Sequence, residues 1–97
     1  MSNIVQIAVN VSANGDFGIE AQLNSPGFKY ILVEGDFGVG TIQITIKEPN
    51  GTFIPLLPVD PILFKGAYGF KGVNGAVLSG NLSGSGGGGS VNVWVTT

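Results

Sequence analysis

Residues 84–90 read GSGGGGS, and the chain then passes directly into VNVWVTT at 91–97. A flexible glycine tract is expected at a tail or between domains. Only seven residues follow this one, too few for a second domain. The tract therefore reads as a loop returning the chain to a sheet, inside a single domain that spans residues 1–97. In the returning strand Val91, Val93 and Val95 share one face, with Asn92, Trp94 and Thr96 on the other. GGGGS has the composition of an engineered spacer as well as that of a native β-loop, and the sequence leaves its origin open.

The same two-residue period runs through most of the chain. Val5, Ile7, Val9 and Val11 form one face of a first strand. The turn SANGD at 12–16 leads to Phe17, Ile19, Ala21 and Leu23 on one face of a second, so the two strands are expected to pair as a hairpin. NSPG at 24–27 breaks the run. In FKYILVE at 28–34, Phe28, Tyr30 and Leu32 lie on one side and Ile31 and Val33 on the other. A strand apolar on both sides is expected to be central or covered on both faces. GDFGVG at 35–40 connects to TIQITIKE, where Ile42, Ile44 and Ile46 point together. PNG at 49–51 is the strongest hairpin signal and leads to TFIPL at 52–56. Prolines 55, 58 and 61 suit an irregular edge better than a central strand. Two further short strands are expected, around ILFKG and near FKGVNG or GAVLSGN.

The 17 glycines and the absence of any 3.6-residue apolar spacing argue against a helix of more than a turn. The pattern predicts an all-β fold, a small antiparallel β-sandwich or jelly roll of seven to eight strands, with an open barrel as the alternative.

Composition removes several functions. Histidine and cysteine are absent, which excludes disulfides, thiolate and imidazole metal ligands and Cys–His catalytic pairs. Lys29, Lys47, Lys65 and Lys71 are scattered, and the formal charge is −2. Nucleic-acid binding, which needs clustered positive charge, is not expected. Charged residues are 10% of the chain, well below the usual quarter, and such a surface is poorly defended against association. No run approaches the length of a membrane span, and the first ten residues alternate without the positive charge of a signal peptide.

Six carboxylates, Asp16, Glu20, Glu34, Asp36, Glu48 and Asp60, are candidate calcium ligands, but none forms a DxDxDG loop. No paired-acid, metal or nucleophile constellation stands out, so neither catalysis nor a cofactor is expected. Asp16-Phe17-Gly18 and Asp36-Phe37-Gly38 recur 20 residues apart. They read as turn exits with the phenylalanine anchored in the core. A kinase reading fails for want of every other kinase element. Asn10, Asn50 and Asn81 begin N-x-S/T sequons, which matter only on a glycosylating secretory route. Trp94, opposite the three valines, is a candidate for an interface or a sugar platform. Tyr68 and Phe70, in GAYGFKG, join it as candidate interface residues, as do Asp36 and Phe37.

YILVEGDFGVGTIQITIKEPNGTFIPL at 30–56 carries Gly35, Phe37, Gly38, Gly40 and Thr41, then Asn50, Gly51, Thr52 and Phe53. With the ending GSVNVWVTT, it resembles small all-β accessory proteins of tailed bacteriophage virions. The segment at 57–80 departs, with FKGAYGFKGVNG where a P-A-G-x-Y/W-R pattern is common. The resemblance implies a structural virion protein, located in the virion, that decorates or cements a capsid by surface complementarity. Its partners would be capsid or other virion proteins and further copies of itself, a trimer being one form. Neither nucleic acid nor membrane would be a partner. A carbohydrate- or receptor-binding adhesin module is the alternative, with a glycan as partner.

Overall fold

The computed structural model describes residues 4–48, 50–56, 59–86 and 89–97. Nine strands are formed among them: β1 (Ile4–Val11), β2 (Gly15–Asp16), β3 (Ala21–Gln22), β4 (Gly27–Asp36), β5 (Thr41–Lys47), β6 (Phe53–Pro55), β7 (Gly66–Gly72), β8 (Val77–Ser83) and β9 (Ser90–Thr96). They make two antiparallel sheets, one in the order β1-β9-β4-β7 and the other β2-β8-β5-β6, with β3 also paired to β8. The pairings are nested: β1 with β9, β2 and β3 with β8, β4 with β7, and β5 with β6. Contacts β4·β9 and β5·β8 complete the two sheets.

Inward positions follow the pleat. Ile31, Val33, Val91, Val93 and Val95 from one sheet meet Ile42, Ile44, Leu78 and Leu82 from the other in one buried cluster. Each such side chain contributes about 1.5–3 kcal/mol on leaving water, which makes this layer the principal stabilising term. The accessible surface is 5304 Å², close to the ~5,200 Å² that chain size predicts for a folded monomer.

Four strand expectations are corrected. The first two segments do not form a hairpin: β1 pairs with β9, while β2 and β3 pair with β8 in the opposite sheet. The second segment is also not one strand. Gly18 has φ +83°, which interrupts the extended backbone, so Ile19 is exposed while Phe17, Ala21 and Leu23 still turn inward. The alternation of β1 fails after Ile7, because register shifts flank Ala8 and bury Ile7 and Ala8 in succession. Val9 is thrown outward as a consequence. The strand expected around ILFKG lies later, as β7. Ile62 makes only an isolated bridge to Ile42. Pro55 sits on the edge strand β6, where no inner ladder bond is lost. Pro58 and the middle of the glycine loop, Gly87 and Gly88, lie outside the described residues, as does Pro49 of the hairpin turn.

Lys29 departs from the pattern of an exposed charge. It points inward from β4 and is 7% exposed. Its Nζ donates to Ser25 Oγ at 2.9 Å and to the Thr97 carbonyl at 3.1 Å. A Cβ at Gly72 would stand 2.8 Å from the Lys29 stem, so the glycine makes room for that side chain.

Gly80 has a related role in the second sheet. A Cβ there would meet the Phe17 ring at 2.8 Å and the Gln43 carbonyl oxygen at 2.9 Å. Gly80→Ala is therefore expected to cost about 1–3 kcal/mol through overpacking. A lower urea midpoint at unchanged slope is the expected reading; an unchanged midpoint would mean that Phe17 moves aside freely.

Candidate functional site

The outward side of the four-stranded sheet carries an uncovered apolar band. On β4, Phe28, Tyr30 and Leu32 are 66%, 50% and 36% exposed, while Lys29, Ile31 and Val33 between them are buried. Cross-strand register extends the band: Leu32 lies opposite Trp94, and Trp94 opposite Gln6. In the adjacent row exposed Ile4 is opposite Thr96. On the other flank Leu32 faces Ala67 and Tyr30 faces Gly69.

Local chemistry fixes the band. The Phe28 ring lies against Gly69, where a Cβ would fall 2.4 Å from its Cε1. Phe28 and Tyr30 rings have centroids 5.4 Å apart at an interplanar angle of 55°, a tilted pair of the favourable kind. Thr96 Oγ1 accepts from the Tyr30 amide at 2.8 Å. Beyond Trp94 the face becomes polar. Gln6 Nε2 and the Asn10 amide donate to Asn92 Oδ1 at 3.0 and 2.9 Å. This clamp holds the irregular end of β1, where Asn10 adopts φ +46°. Charges sit at the ends of the face, Glu34 and Asp36 with Lys65 beside them at one end and Lys71 opposite Phe28 at the other.

The five sequence candidates are not brought together. Trp94 is half-buried on the outward face, opposite Val91, Val93 and Val95, which are all 0% exposed. Asp36 is exposed on the same sheet but pairs with Ser90, four residues along β9 from Trp94, or about 14 Å. Its carboxylate accepts from the Gly38 amide at 2.9 Å, holding the turn into β5. Phe37 and Phe70 are each 5% exposed. Both belong to the core, which agrees with the reading of Phe37 as a turn anchor and leaves neither ring on the surface for an interface. Tyr68 pairs with Ile31 on the inward side of β7, is half-buried, and donates its hydroxyl to the Phe64 carbonyl. Phe17, like Phe37, packs against the core, as the reading of the two Asp-Phe-Gly segments as anchored turns requires.

Phe28, Tyr30 and Leu32 were expected to be covered and are instead the exposed centre of the band. β4 is central within its sheet, flanked by β9 and β7, but only its inward side is covered. Their signal was the double-sided apolar pattern itself. Among the carboxylates, Asp60 is committed to structure, accepting from the Ile44 amide at 2.9 Å. Among the described residues no group of three or more acidic side chains is placed to hold a metal ion. No protein-family model matches the chain, and no curated protein sequence matches it.

Proposed function

We propose that this chain is a structural building module that associates with a second copy of itself through the outward face of the four-stranded sheet. The observation that carries this reading is the uncovered band of Phe28, Tyr30, Leu32 and Trp94 on an otherwise well-packed sheet. An apolar patch of this kind on a small domain marks an interaction surface. A standard interface needs ~800 Å² from each partner, about 15% of the 5304 Å² surface. With Glu34 and Asp36 beside Lys65 at one end, net negative, and Lys71 at the other, an antiparallel two-fold arrangement brings opposite net charges toward each other while the band stays apolar.

The wider role we assign is decoration or cementing of a phage capsid. Three things support it: the resemblance at 30–56 and at the C-terminal strand, the low charge, and the nested strand pairing. Counting β2 and β3 as one interrupted strand, that pairing supports reading the fold as an eight-stranded jelly roll, an architecture used by viral capsid and lectin domains. Fold alone does not assign function, so the surface carries the argument. Repeated copies on a symmetric lattice would add modest contacts into firm attachment.

Light scattering coupled to size exclusion, over a concentration series, tests the association. A discrete dimer that dissociates on dilution is expected. Trp94→Ala should weaken it by about 30-fold, the effect of losing one hot-spot side chain of about 2 kcal/mol. Leu32→Glu should leave a folded single chain. A wild-type chain that stays single at every concentration, or variants of unchanged mass, would overturn the reading.

A further inference from the structure

The opposite sheet bears a second surface of different chemistry. Its outward side holds a depression of about 570 Å³, within the ~300–1,000 Å³ range of small-molecule sites. Asp16, Glu20, Thr45, Phe53, Ser79 and Asn81 line it. The register explains why these residues meet. Leu78, Gly80 and Leu82 of β8 face inward, so Ser79 and Asn81 face outward between them. Ser79 pairs with Thr45, and Asn81 with Asp16. One strand further out, Lys47 and Thr45 pair with Phe53 and Pro55, which places Phe53 on the same side.

The order β2-β8-β5-β6 therefore sets a carboxylate at one edge, amide and hydroxyl groups across the floor, and an aromatic ring at the other edge. Three strand spacings separate the edges, about 14 Å. The carboxylate side is held in place from beneath. The Phe17 amide donates to the Gly80 carbonyl at 2.9 Å, and the Phe17 ring packs on Gly80, so Asp16 adjoins an anchored residue, with Glu20 three positions further along the chain. Among the described residues no side-chain hydrogen bond within the chain engages Asp16, Glu20 or Asn81. Their hydrogen-bonding capacity is directed at solvent.

We infer that this depression binds a neutral saccharide. Two carboxylates that only accept, an amide that accepts and donates, and two hydroxyls match the dense, mixed hydroxyl groups of a sugar. Charge-assisted bonds from sugar hydroxyls to Asp16 and Glu20 supply the stronger polar contacts. Phe53 offers an apolar ring to the C–H side of the sugar, a ring it shares with Lys47, whose Nζ lies over it 5.8 Å from the centroid. No lysine lines the depression itself, and Lys47 is the one cation at its aromatic edge, so an anionic ligand would meet two carboxylates against a single lysine. This inference does not depend on the association face, which lies on the other sheet.

The test is an amide-resolved NMR titration of the full chain carrying Leu32→Glu, which separates sugar binding from association. The probes are D-glucose, D-galactose, N-acetyl-D-glucosamine and maltose, each raised to ~50 mM, well above the ~1 mM dissociation constant expected of an open site. With at least one sugar, saturable shifts confined to the surroundings of residues 16–20, 45, 53 and 79–81 are expected. Asn81→Ala and Phe53→Ala should each weaken that binding tenfold or more with the spectrum otherwise preserved. No saturable shift with any of the four sugars would overturn the inference. So would equal shifts with calcium chloride alone, or binding unchanged in both variants.

Discussion

Gly35→Ala is expected to remove about 3–5 kcal/mol of stability. Two costs combine: about 1–3 kcal/mol for forcing a side chain into a glycine-only backbone region, and a similar amount for overpacking. Gly35 has φ +109°, and a Cβ there would lie 1.9 Å from the Ser90 carbonyl oxygen. The obstacle is backbone of β9, which cannot rotate aside as a side chain can. Against a total of ~5–15 kcal/mol for a typical domain, this is a large fraction. Thermal unfolding should fall by ~15–30 °C for a chain of this size. Gly51→Ala is the control. Gly51 also has a positive φ, +91°, but nothing lies within 4 Å of its Cβ position. That variant should lose only about 1–2 kcal/mol. Equal losses in the two variants would show that the close approach of β4 to β9 is not what fixes glycine at 35.

Ile44→Ala is expected to cost about 2–5 kcal/mol, the range for emptying a packed core position. Ile44 is 0% exposed and sits in the middle of β5, so the cavity is walled on all sides. Leu32→Ala removes a comparable side chain from the outward face of β4 and should cost the single chain about 1 kcal/mol or less. Urea denaturation at low protein concentration reads both. If Leu32→Ala were as costly as Ile44→Ala, the outward side of the four-stranded sheet would be covered within the chain, and the association proposal would lose its basis.

The contrast between Ile44 and Leu32 shows how far the sequence could be read. Ile42, Ile44 and Ile46 alternate with polar residues, so one face of β5 had to be inside, and it is. Val91, Val93 and Val95 were legible in the same way, with Trp94 set opposite them. β4 offered no such choice, because both sides are apolar, and among the described residues its second side is left exposed. Val9 misled for another reason. The register shifts in β1 change which residues face inward without leaving a glycine or proline to mark them.

The candidate site was less legible than the fold. The outward placement of Trp94 followed from register alone, and Phe37 was read as the core anchor of its turn, but Tyr68 and Phe70 were assigned to a loop because their surroundings are rich in glycine. Phe70 instead lies within β7, facing the core beside Lys29. The saccharide-type depression had no linear signature. Its groups come from β2, the segment after it, β5, β6 and β8, separated by as many as 65 positions between Asp16 and Asn81.

By itself, then, the sequence determined the all-β class, the strand period, the inward faces of β5 and β9, and the return of the chain to a sheet after its glycine loop. These follow from local backbone geometry, since a strand's side chains must alternate whatever its partners are. Only the tertiary structure decided that β1 pairs with β9 instead of with its neighbour, that Lys29 turns inward, and that the Phe28–Tyr30–Leu32 side stays bare. Each of those outcomes depends on which distant strand arrives alongside, and alternation within one segment carries no information about that.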